Sequence, residues 1–144
     1  MGSKTILLVE DSHNDVELML QAFSEKNITD TVQVARDGQE AMDFLLGQGK
    51  FAGRPAGNPL VIILDLKMPK VDGFEVLKRI KTDDHLKLIP IVVFSSSSEE
   101  RDVNACYQRG VNAYVVKPVD FNEFIDAVQR MGFFWSRINK SLRR

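Results

Sequence analysis

Short apolar runs alternate with stretches of helical periodicity along this 144-residue sequence. The first, third and fourth runs are apolar almost throughout, as expected of strands that are covered on both faces. Between the runs, apolar residues recur at spacings of three and four, which is typical of helices with one buried face. This alternation predicts an α/β fold with a parallel sheet sandwiched between helices. The predicted strands are Thr5–Val9, Thr31–Ala35, Val61–Leu64, Ile91–Ser95 and Ala113–Val116.

Polar residues and glycine refine the predicted helix ends. Asp37 with Glu40, and Ser97 with Glu100, have the spacing of a capping box, which predicts that helices begin there. Gly132 interrupts the last apolar periodicity at a cost of about 1 kcal/mol, so the fifth helix is expected to bend or stop at this residue.

Composition and charge narrow the class of protein. Hydrophobic residues make up 44% and charged residues 27% of the chain, as in ordinary globular domains. A net charge of -1 gives no broad attraction for nucleic acid or anionic lipid. No apolar stretch approaches the roughly 20 residues that cross a bilayer, and no signal peptide is apparent. The sequence therefore predicts one domain over residues 1–144, located in the cytoplasm.

One connection is unusually long for a compact α/β fold. Residues 47–59, GQGKFAGRPAGNP, are rich in glycine and proline and separate the second helix from the third strand. This loop insertion is either a partner-binding loop or a tolerated surface connection.

Carboxylates collect where the predicted strands end. Glu10 and Asp11 follow the first strand, and Asp65 follows the third, where an isolated charge beside an apolar run is costly. Open parallel sheets bind ligands at the edge formed by the carboxyl ends of their strands. Three carboxylates at that edge would repel one another unless a cation lay between them. Oxygen ligands without a cluster of His or Cys favour Mg2+ or a similar ion.

Two further polar residues, Ser95 and Lys117, leave the fourth and fifth strands at the same edge. Lys117 offers a positive charge for a phosphate oxygen, and Ser95 offers a small hydroxyl donor. A carboxylate beside Mg2+ and a lysine can accept a phosphoryl group, because these cations neutralise the charge on the equatorial oxygens. Asp65 is therefore the expected nucleophile. The alternative is that these polar residues are solvated loop residues that happen to follow strands, as is common for any single Asp.

Four motifs in combination resemble the receiver domains of two-component response regulators, typified by the chemotaxis response regulator. They are LLVEDS, ILDLKMPKVDG, PIVVFSS and GVNAYVVKP, and the similarity runs from Ile6 to about Met131. The resemblance implies a doubly wound, flavodoxin-like (βα)5 receiver fold with strand order 2-1-3-4-5. It also implies that a sensor histidine kinase phosphorylates Asp65 and that phosphorylation shifts the surface formed by helix 4, strand 5 and helix 5.

The same resemblance implies roles for individual residues. Ser95 and Tyr114 are the expected switch residues, Lys117 pairs with the phosphoryl group, and the Lys117–Pro118 peptide bond is expected to be cis. The expected Mg2+ site consists of Glu10, Asp11, Asp65 and the backbone carbonyl of Lys67.

A narrower similarity rests on the loop insertion 47–59 and the aromatic sequence MGFFWSRI. Both look like single-domain regulators that partner phytochrome-type histidine kinases. Such regulators are often dimers through the C-terminal face, and Phe133, Phe134 and Trp135 in the extension 132–144 are candidates for that contact. The alternative is that these aromatics cover the core of their own chain. Because the chain ends soon after the fifth helix, we expect a stand-alone regulator that binds a target or relays to a histidine phosphotransfer protein.

Two other functions remain open at this point. A Mg2+-dependent phosphatase of the haloacid dehalogenase type needs a second acid two residues after the nucleophile, where this chain has Lys67. A receiver-like interaction module would bind partners without phosphate. The receiver resemblance implies that Lys67 and Ser97 tune hydrolysis, and since neither is an amide or acid suited to orient water, we expect slow autodephosphorylation. We also expect no turnover of an external metabolite.

Overall fold

The structure is a computed structural model that describes residues 4–28, 31–68 and 71–142. Strands and helices alternate along these residues, and each predicted strand has the predicted bounds. The strands are β1 Thr5–Val9, β2 Thr31–Ala35, β3 Val61–Leu64, β4 Ile91–Ser95 and β5 Ala113–Val116. The helices are α1 His13–Glu25, α2 Gly38–Leu46, α3 Gly73–Lys81, α4 Glu100–Gln108 and α5 Phe121–Phe133.

The five strands form one parallel sheet in the order β2-β1-β3-β4-β5, which confirms the predicted fold. Val9 at the end of β1 pairs with Leu64 at the end of β3, and Leu64 pairs with Val93 on β4. The carboxyl ends of the three central strands therefore lie side by side. This register brings the residues that follow them to one edge of the sheet.

The core has two halves because successive side chains of a strand point to opposite faces of the sheet. Leu7 and Val9 pack with residues of α2, α3 and α4 on one face, and Ile6 and Leu8 pack with α1 and α5 on the other. All residues of β3 and β4 are buried, whereas the edge strands β2 and β5 are partly exposed. The helices thus cover both faces, as the apolar runs indicated.

Four of the five helices begin at a side-chain cap. The capping side chains, each accepting a hydrogen bond from the backbone N–H three residues later, are Ser12, Asp37, Asp72 and Asp120. The exception is α4, whose N-cap residue Glu99 makes no such bond. The predicted cap at Ser97 is therefore wrong. The Ser97 hydroxyl instead accepts from Glu99 N, which lies before the helix, and donates to the Asp102 carboxylate in its first turn.

The fifth helix was expected to bend or stop at Gly132, but it continues past this residue. Its α-helical part continues to Phe133 and then becomes a π-helical turn, Phe134–Ile138. A Cβ at Gly132 would come within 2.6 Å of the Phe23 ring on α1. The glycine therefore lets α5 approach α1 closely, and this packing offsets its low helix propensity.

The aromatic residues at the end of α5 and just beyond it divide between the two alternatives. Trp135 is half-buried and packs against the core between the sheet, α1 and α5. Phe133 and Phe134 are 51% and 42% exposed. The extension therefore covers part of its own core and still presents two aromatic rings at the surface. Residues 143–144 of the predicted extension lie outside the described residues.

The connection between α2 and β3 packs back onto α2. Within it, Gly49–Phe51 forms a short 3-10 helix, and the Phe51 ring stands edge-on to Phe44 with a centroid separation of 5.2 Å. The Arg54 guanidinium donates to the carbonyls of Phe44 and Leu45 in the last turn of the helix. The connection thus acts as a C-terminal cap for α2.

Candidate functional site

Three carboxylates meet at the carboxyl edge of the sheet. Glu10, Asp11 and Asp65 each offer an oxygen that lies within 4.8 Å of the others. Glu10 and Asp65 are only 1% and 7% exposed, whereas Asp11 faces solvent. Asp65 is held in place by its backbone N–H, which donates to the carbonyl of Val9. This set of oxygen ligands fits a hard divalent cation such as Mg2+ or Mn2+, with water completing the coordination.

Lys117 lies at the centre of the acidic group. Its Nζ donates to Glu10 Oε1 and to Asp15 Oδ2, both at 2.8 Å, and lies 3.9 Å from Asp65 Oδ2. The side chain is 11% exposed, so these ion pairs are poorly screened by water. The ammonium group can therefore reach an oxygen added to Asp65 with only a small movement.

The two buried carboxyl groups of the site have raised pKa values, and burial is the main cause. Burial raises the pKa of Glu10 to about 7, helped by the charge on Asp65 and opposed by the hydrogen bond from Lys117. Burial also raises the pKa of Asp65, although Lys117 and the hydrogen bond with Glu10 lower it. Burial acts to lower the pKa of Lys117, but its bonds to Asp15 and Glu10 outweigh this effect and the pKa is raised. A divalent cation beside these carboxylates would favour their charged forms and offset the effect of burial.

Sequence reasoning missed Asp15 as a member of this site. It lies in the first turn of α1, where Ser12 accepts a hydrogen bond from its backbone N–H. Acidic residues are common in this position because they interact favourably with the helix dipole, so its residue type gave no separate signal. The helix start after Ser12, combined with the strand end at Glu10, was the available indication that Asp15 remains near the sheet edge.

The predicted switch residues are linked by Ser97 in the β4–α4 loop. Ser95 is buried, and its Oγ accepts a hydrogen bond from Ser97 N at 3.2 Å. Tyr114 is partly buried against the core, and its hydroxyl donates to Ser97 O at 2.8 Å. The two side chains thus contact one loop residue from neighbouring strands.

Two expectations near the site have different outcomes. No peptide bond among the described residues is cis, so the cis Lys117–Pro118 bond is wrong for this structure. An Xaa–Pro bond prefers trans by about 0.5–1 kcal/mol, and only added local contacts favour cis. The metal-binding role of the Lys67 carbonyl stays a prediction, and residues 69–70 lie outside the described residues.

In the described part of the chain, the helices are too short or too polar to cross a membrane.

An acidic site at the carboxyl edge of a (βα)5 sheet agrees with the comparisons with known proteins. The protein-family model for the response regulator receiver domain matches residues 6–129 of this chain. The chain is 42% identical to response regulator Rcp1 of Synechocystis sp. over 132 residues, which covers 92% of this chain and 88% of Rcp1. It is 38% identical to the probable methanogenesis regulatory protein FilR2 of Methanothrix harundinacea, with 94% and 86% of the two chains covered.

Solved structures give the same result. The phosphorylated cyanobacterial phytochrome response regulator RcpA superposes with a TM-score of 0.90 at 37% identity, covering 97% of this chain and 99% of RcpA. The Mn2+-bound form of Rcp1 also superposes with a TM-score of 0.90, at 40% identity, covering 96% and 99%. This chain belongs to the response regulator receiver domain family of two-component signalling. Its relatives include a phytochrome response regulator.

Proposed function

We propose that the chain is a stand-alone response regulator in which Asp65 accepts a phosphoryl group from a sensor histidine kinase in a Mg2+-dependent reaction. The main support is the buried carboxylate of Asp65, with Glu10 and Asp11 beside it and Lys117 Nζ 3.9 Å from its Oδ2. An Asp65 oxygen attacks phosphorus while the bond to the imidazole nitrogen of the kinase breaks. The bonding electrons return to that nitrogen.

Each side chain of the site has a defined part in this transfer. Glu10, Asp11, Asp65 and the Lys67 carbonyl would hold Mg2+, which when bound neutralises charge on the phosphoryl oxygens. Lys117 pairs with one phosphoryl oxygen, and the Ser95 hydroxyl donates to another. Asp15 keeps the Lys117 ammonium near the acceptor, since its carboxylate is 2.8 Å from Nζ.

The domain organisation belongs to the same proposal. One receiver domain spans residues 1–144, with a loop insertion at 47–59 and an aromatic extension at 132–144. The relatives support a stand-alone protein because this chain covers 86–88% of the length of the two curated relatives described above. The expected cytoplasmic location stays a prediction.

The output is a change in protein contacts at the α4, β5 and α5 surface. A phosphoryl group adds charge and acceptor oxygens at Asp65 and favours the arrangement in which Ser95 and Lys117 lie nearest to it. A nearly complete switch requires a preference of about 5.5 kcal/mol between the two arrangements. A smaller preference gives partial activation, so the size of the response measures the coupling between the site and this surface.

Partners follow from the relatives and from the exposed aromatics. Similarity to a phytochrome response regulator supports a phytochrome-type kinase, whereas the methanogenesis-related relative shows that similar chains serve other signals. Phe133 and Phe134 are exposed and Trp135 packs beside them, which supports a homodimer through the C-terminal face. The output is either direct target binding or relay to a histidine phosphotransfer protein.

We also propose that the phosphoryl group is lost slowly and that no external metabolite is turned over. Hydrolysis needs a water molecule oriented toward phosphorus on Asp65. The Ser97 hydroxyl is already occupied, since it donates to Asp102 Oδ2 at 2.7 Å and accepts from Glu99 N. Lys67 is exposed and carries no acceptor to orient water.

The decisive test is intact-mass measurement after incubation with a small phosphodonor and Mg2+. Wild type is expected to gain the mass of one phosphoryl group, and Asp65→Asn is expected to gain none. Asp126→Asn serves as the matched control because Asp126 lies at the surface of α5, paired with Arg130. Phosphorylation of Asp65→Asn to the wild-type extent would exclude Asp65 as the acceptor.

A phosphate-independent interaction module is the main rival. It predicts that self-association and partner binding are the same for wild type and Asp65→Asn under phosphorylating conditions. Sizing of both proteins with and without phosphodonor separates the two functions. A shift in assembly that requires both the donor and Asp65 supports the regulator.

A further inference from the structure

Ser97 is the junction between three elements near the proposed phosphoryl site. Its side chain is buried, at 8% exposure, and its Oγ donates to Asp102 Oδ2 on α4 at 2.7 Å. Its backbone N–H donates to Ser95 Oγ at the end of β4. Its carbonyl accepts from the Tyr114 hydroxyl on β5 at 2.8 Å. One residue therefore bonds to both switch side chains and to the first turn of α4.

The bond to Asp102 is the only charge-assisted one of these three. Hydrogen bonds to a carboxylate are shorter and about twice as strong as those between neutral groups. The 2.7 Å distance is typical of a well-formed O–H···O hydrogen bond. Loss of this bond would leave the Ser97 backbone held only by weaker neutral contacts.

A movement of the Ser95 hydroxyl must change its hydrogen bond with Ser97 N. If the Ser95 hydroxyl turns toward a phosphoryl oxygen on Asp65, its Oγ carries the bond from Ser97 N along or breaks it. Displacement of the Ser97 backbone then removes or moves the carbonyl that accepts from Tyr114. The strength of this link depends on how firmly the loop is held to α4.

We propose that Asp102 is a positioning residue that couples Ser95 on β4 to Tyr114 on β5 by holding Ser97 through its hydroxyl. The trigger of this coupling rests on the proposed phosphorylation of Asp65. The coupling itself is a property of the unphosphorylated protein and can be measured without any donor.

The neighbouring acid Glu100 separates this role from an effect of Asp102 on the helix dipole. Both Asp102 and Glu100 are acidic residues in the first turn of α4, so both interact with the helix dipole. Glu100 is exposed, whereas Asp102 is partly buried and accepts the Ser97 bond. Asp102→Ala and Glu100→Ala therefore remove similar dipole interactions, and only the first removes the acceptor for Ser97.

The test uses 19F NMR of protein labelled with 3-fluorotyrosine, because the sequence contains two tyrosines. Tyr107 on α4 is 50% exposed and serves as the internal reference, and Tyr114 reports the junction. Spectra are recorded for wild type, Asp102→Ala, Ser97→Ala, Ser97→Thr and Glu100→Ala, before and after beryllofluoride and Mg2+ are added. Circular dichroism verifies that each variant is folded.

Before any addition, Asp102→Ala and Ser97→Ala are expected to shift the Tyr114 resonance toward the position of an exposed tyrosine. Glu100→Ala and Ser97→Thr, which retain the acceptor and the hydroxyl, are expected to keep the wild-type resonance. A double variant that combines Asp102→Ala with Ser97→Ala is expected to shift no further than either single variant, because both substitutions remove the same interaction. After beryllofluoride is added, the Tyr114 response is expected to be lost in the two uncoupled variants and kept in the controls.

A wild-type Tyr114 resonance in Asp102→Ala, or an equal shift in Glu100→Ala, would overturn the coupling. Failure of wild type to gain a phosphoryl group in the mass experiment would instead overturn the proposed function. The spectra recorded before addition decide the role of Asp102 in either case.

Discussion

Asp15→Asn is the substitution that tests most directly how the lysine of the site is held. Lys117 Nζ now divides its hydrogen bonds between Glu10 Oε1 and Asp15 Oδ2, both at 2.8 Å. Asparagine keeps the size of the side chain and one acceptor oxygen but removes the charge. The substitution therefore removes one carboxylate from a lysine that remains bonded to Glu10.

The expected loss follows from the burial of the pair. A hydrogen bond between charged groups contributes about 1.5–3 kcal/mol to stability. The Asp15 side chain is 26% exposed and that of Lys117 is 11% exposed, and the remaining amide oxygen still accepts a weaker bond. We therefore expect the free energy of unfolding to fall by about 1–2 kcal/mol. With an m-value of about 2 kcal/mol/M, the urea midpoint falls by about 0.5–1 M.

Urea unfolding followed by the fluorescence of Trp135, the single tryptophan, measures this change. Asp126→Asn is the control, because Asp126 and Arg130 form a surface pair with 60% and 81% exposed side chains. Such a pair contributes about 0–1 kcal/mol. The reasoning is refuted if Asp15→Asn and Asp126→Asn shift the midpoint equally, since Asp15 would then behave as an ordinary surface acid.

Three further outcomes follow from the site and the core. The affinity for Mg2+ or Mn2+, measured by calorimetry, should fall about tenfold per pH unit below pH 7. The reason is that a proton on Glu10, whose pKa is about 7, competes with the metal. Equal affinities at pH 6 and 8 would contradict this. Gly73→Ala places a Cβ 2.6 Å from the Leu66 Cα, and should lower the free energy of unfolding by about 1–2 kcal/mol after the gain in helix propensity; a urea midpoint at or above wild type would show that the backbone yields. Burial raises the pKa of the Cys106 thiol to about 11, so a thiol reagent at pH 8 should label it only as the protein unfolds; rapid labelling of folded protein would show that the thiol is accessible.

The fold was predictable because each part of it has a local cause in the sequence. Aliphatic runs mark strands that are covered on both faces, so β1, β3 and β4 were identified with their bounds. The same runs identify the residues at the carboxyl edge, since parallel strands end on the same side. Glu10, Asp11 and Asp65 could therefore be grouped before any coordinates were known, and the structure brings their oxygens together.

The errors occur where contacts in the fold outweigh a local signal. Ser97 has the spacing of a capping residue, but α4 begins one residue after Glu99, and the Ser97 hydroxyl bonds to Glu99 N and Asp102 instead. Gly132 has a low helix propensity, but close packing against Phe23 offsets it and the α-helix runs on to Phe133. Sequence periodicity shows which partners are possible. The choice between them depends on tertiary contacts that periodicity does not contain.

Asp15 was missed because its place beside Lys117 also depends on a tertiary contact. In the proposed function, this position lets the site respond to a phosphoryl group. Four carboxylates, Glu10, Asp11, Asp15 and Asp65, lie around Lys117 or the proposed metal position. A single ammonium group leaves this cluster strongly negative, and a divalent cation leaves it close to neutral. In the proposed reaction, a phosphoryl group on Asp65 would add negative charge near Lys117, whose Nζ is 3.9 Å from Asp65 Oδ2. Lys117 would then exchange a bond to Glu10 or Asp15 for one to phosphate, which replaces one charge-assisted hydrogen bond with another. The buried charges thus raise the free energy of folding, but they lower the free energy needed to rearrange the site. A reversible signal requires two arrangements of similar free energy.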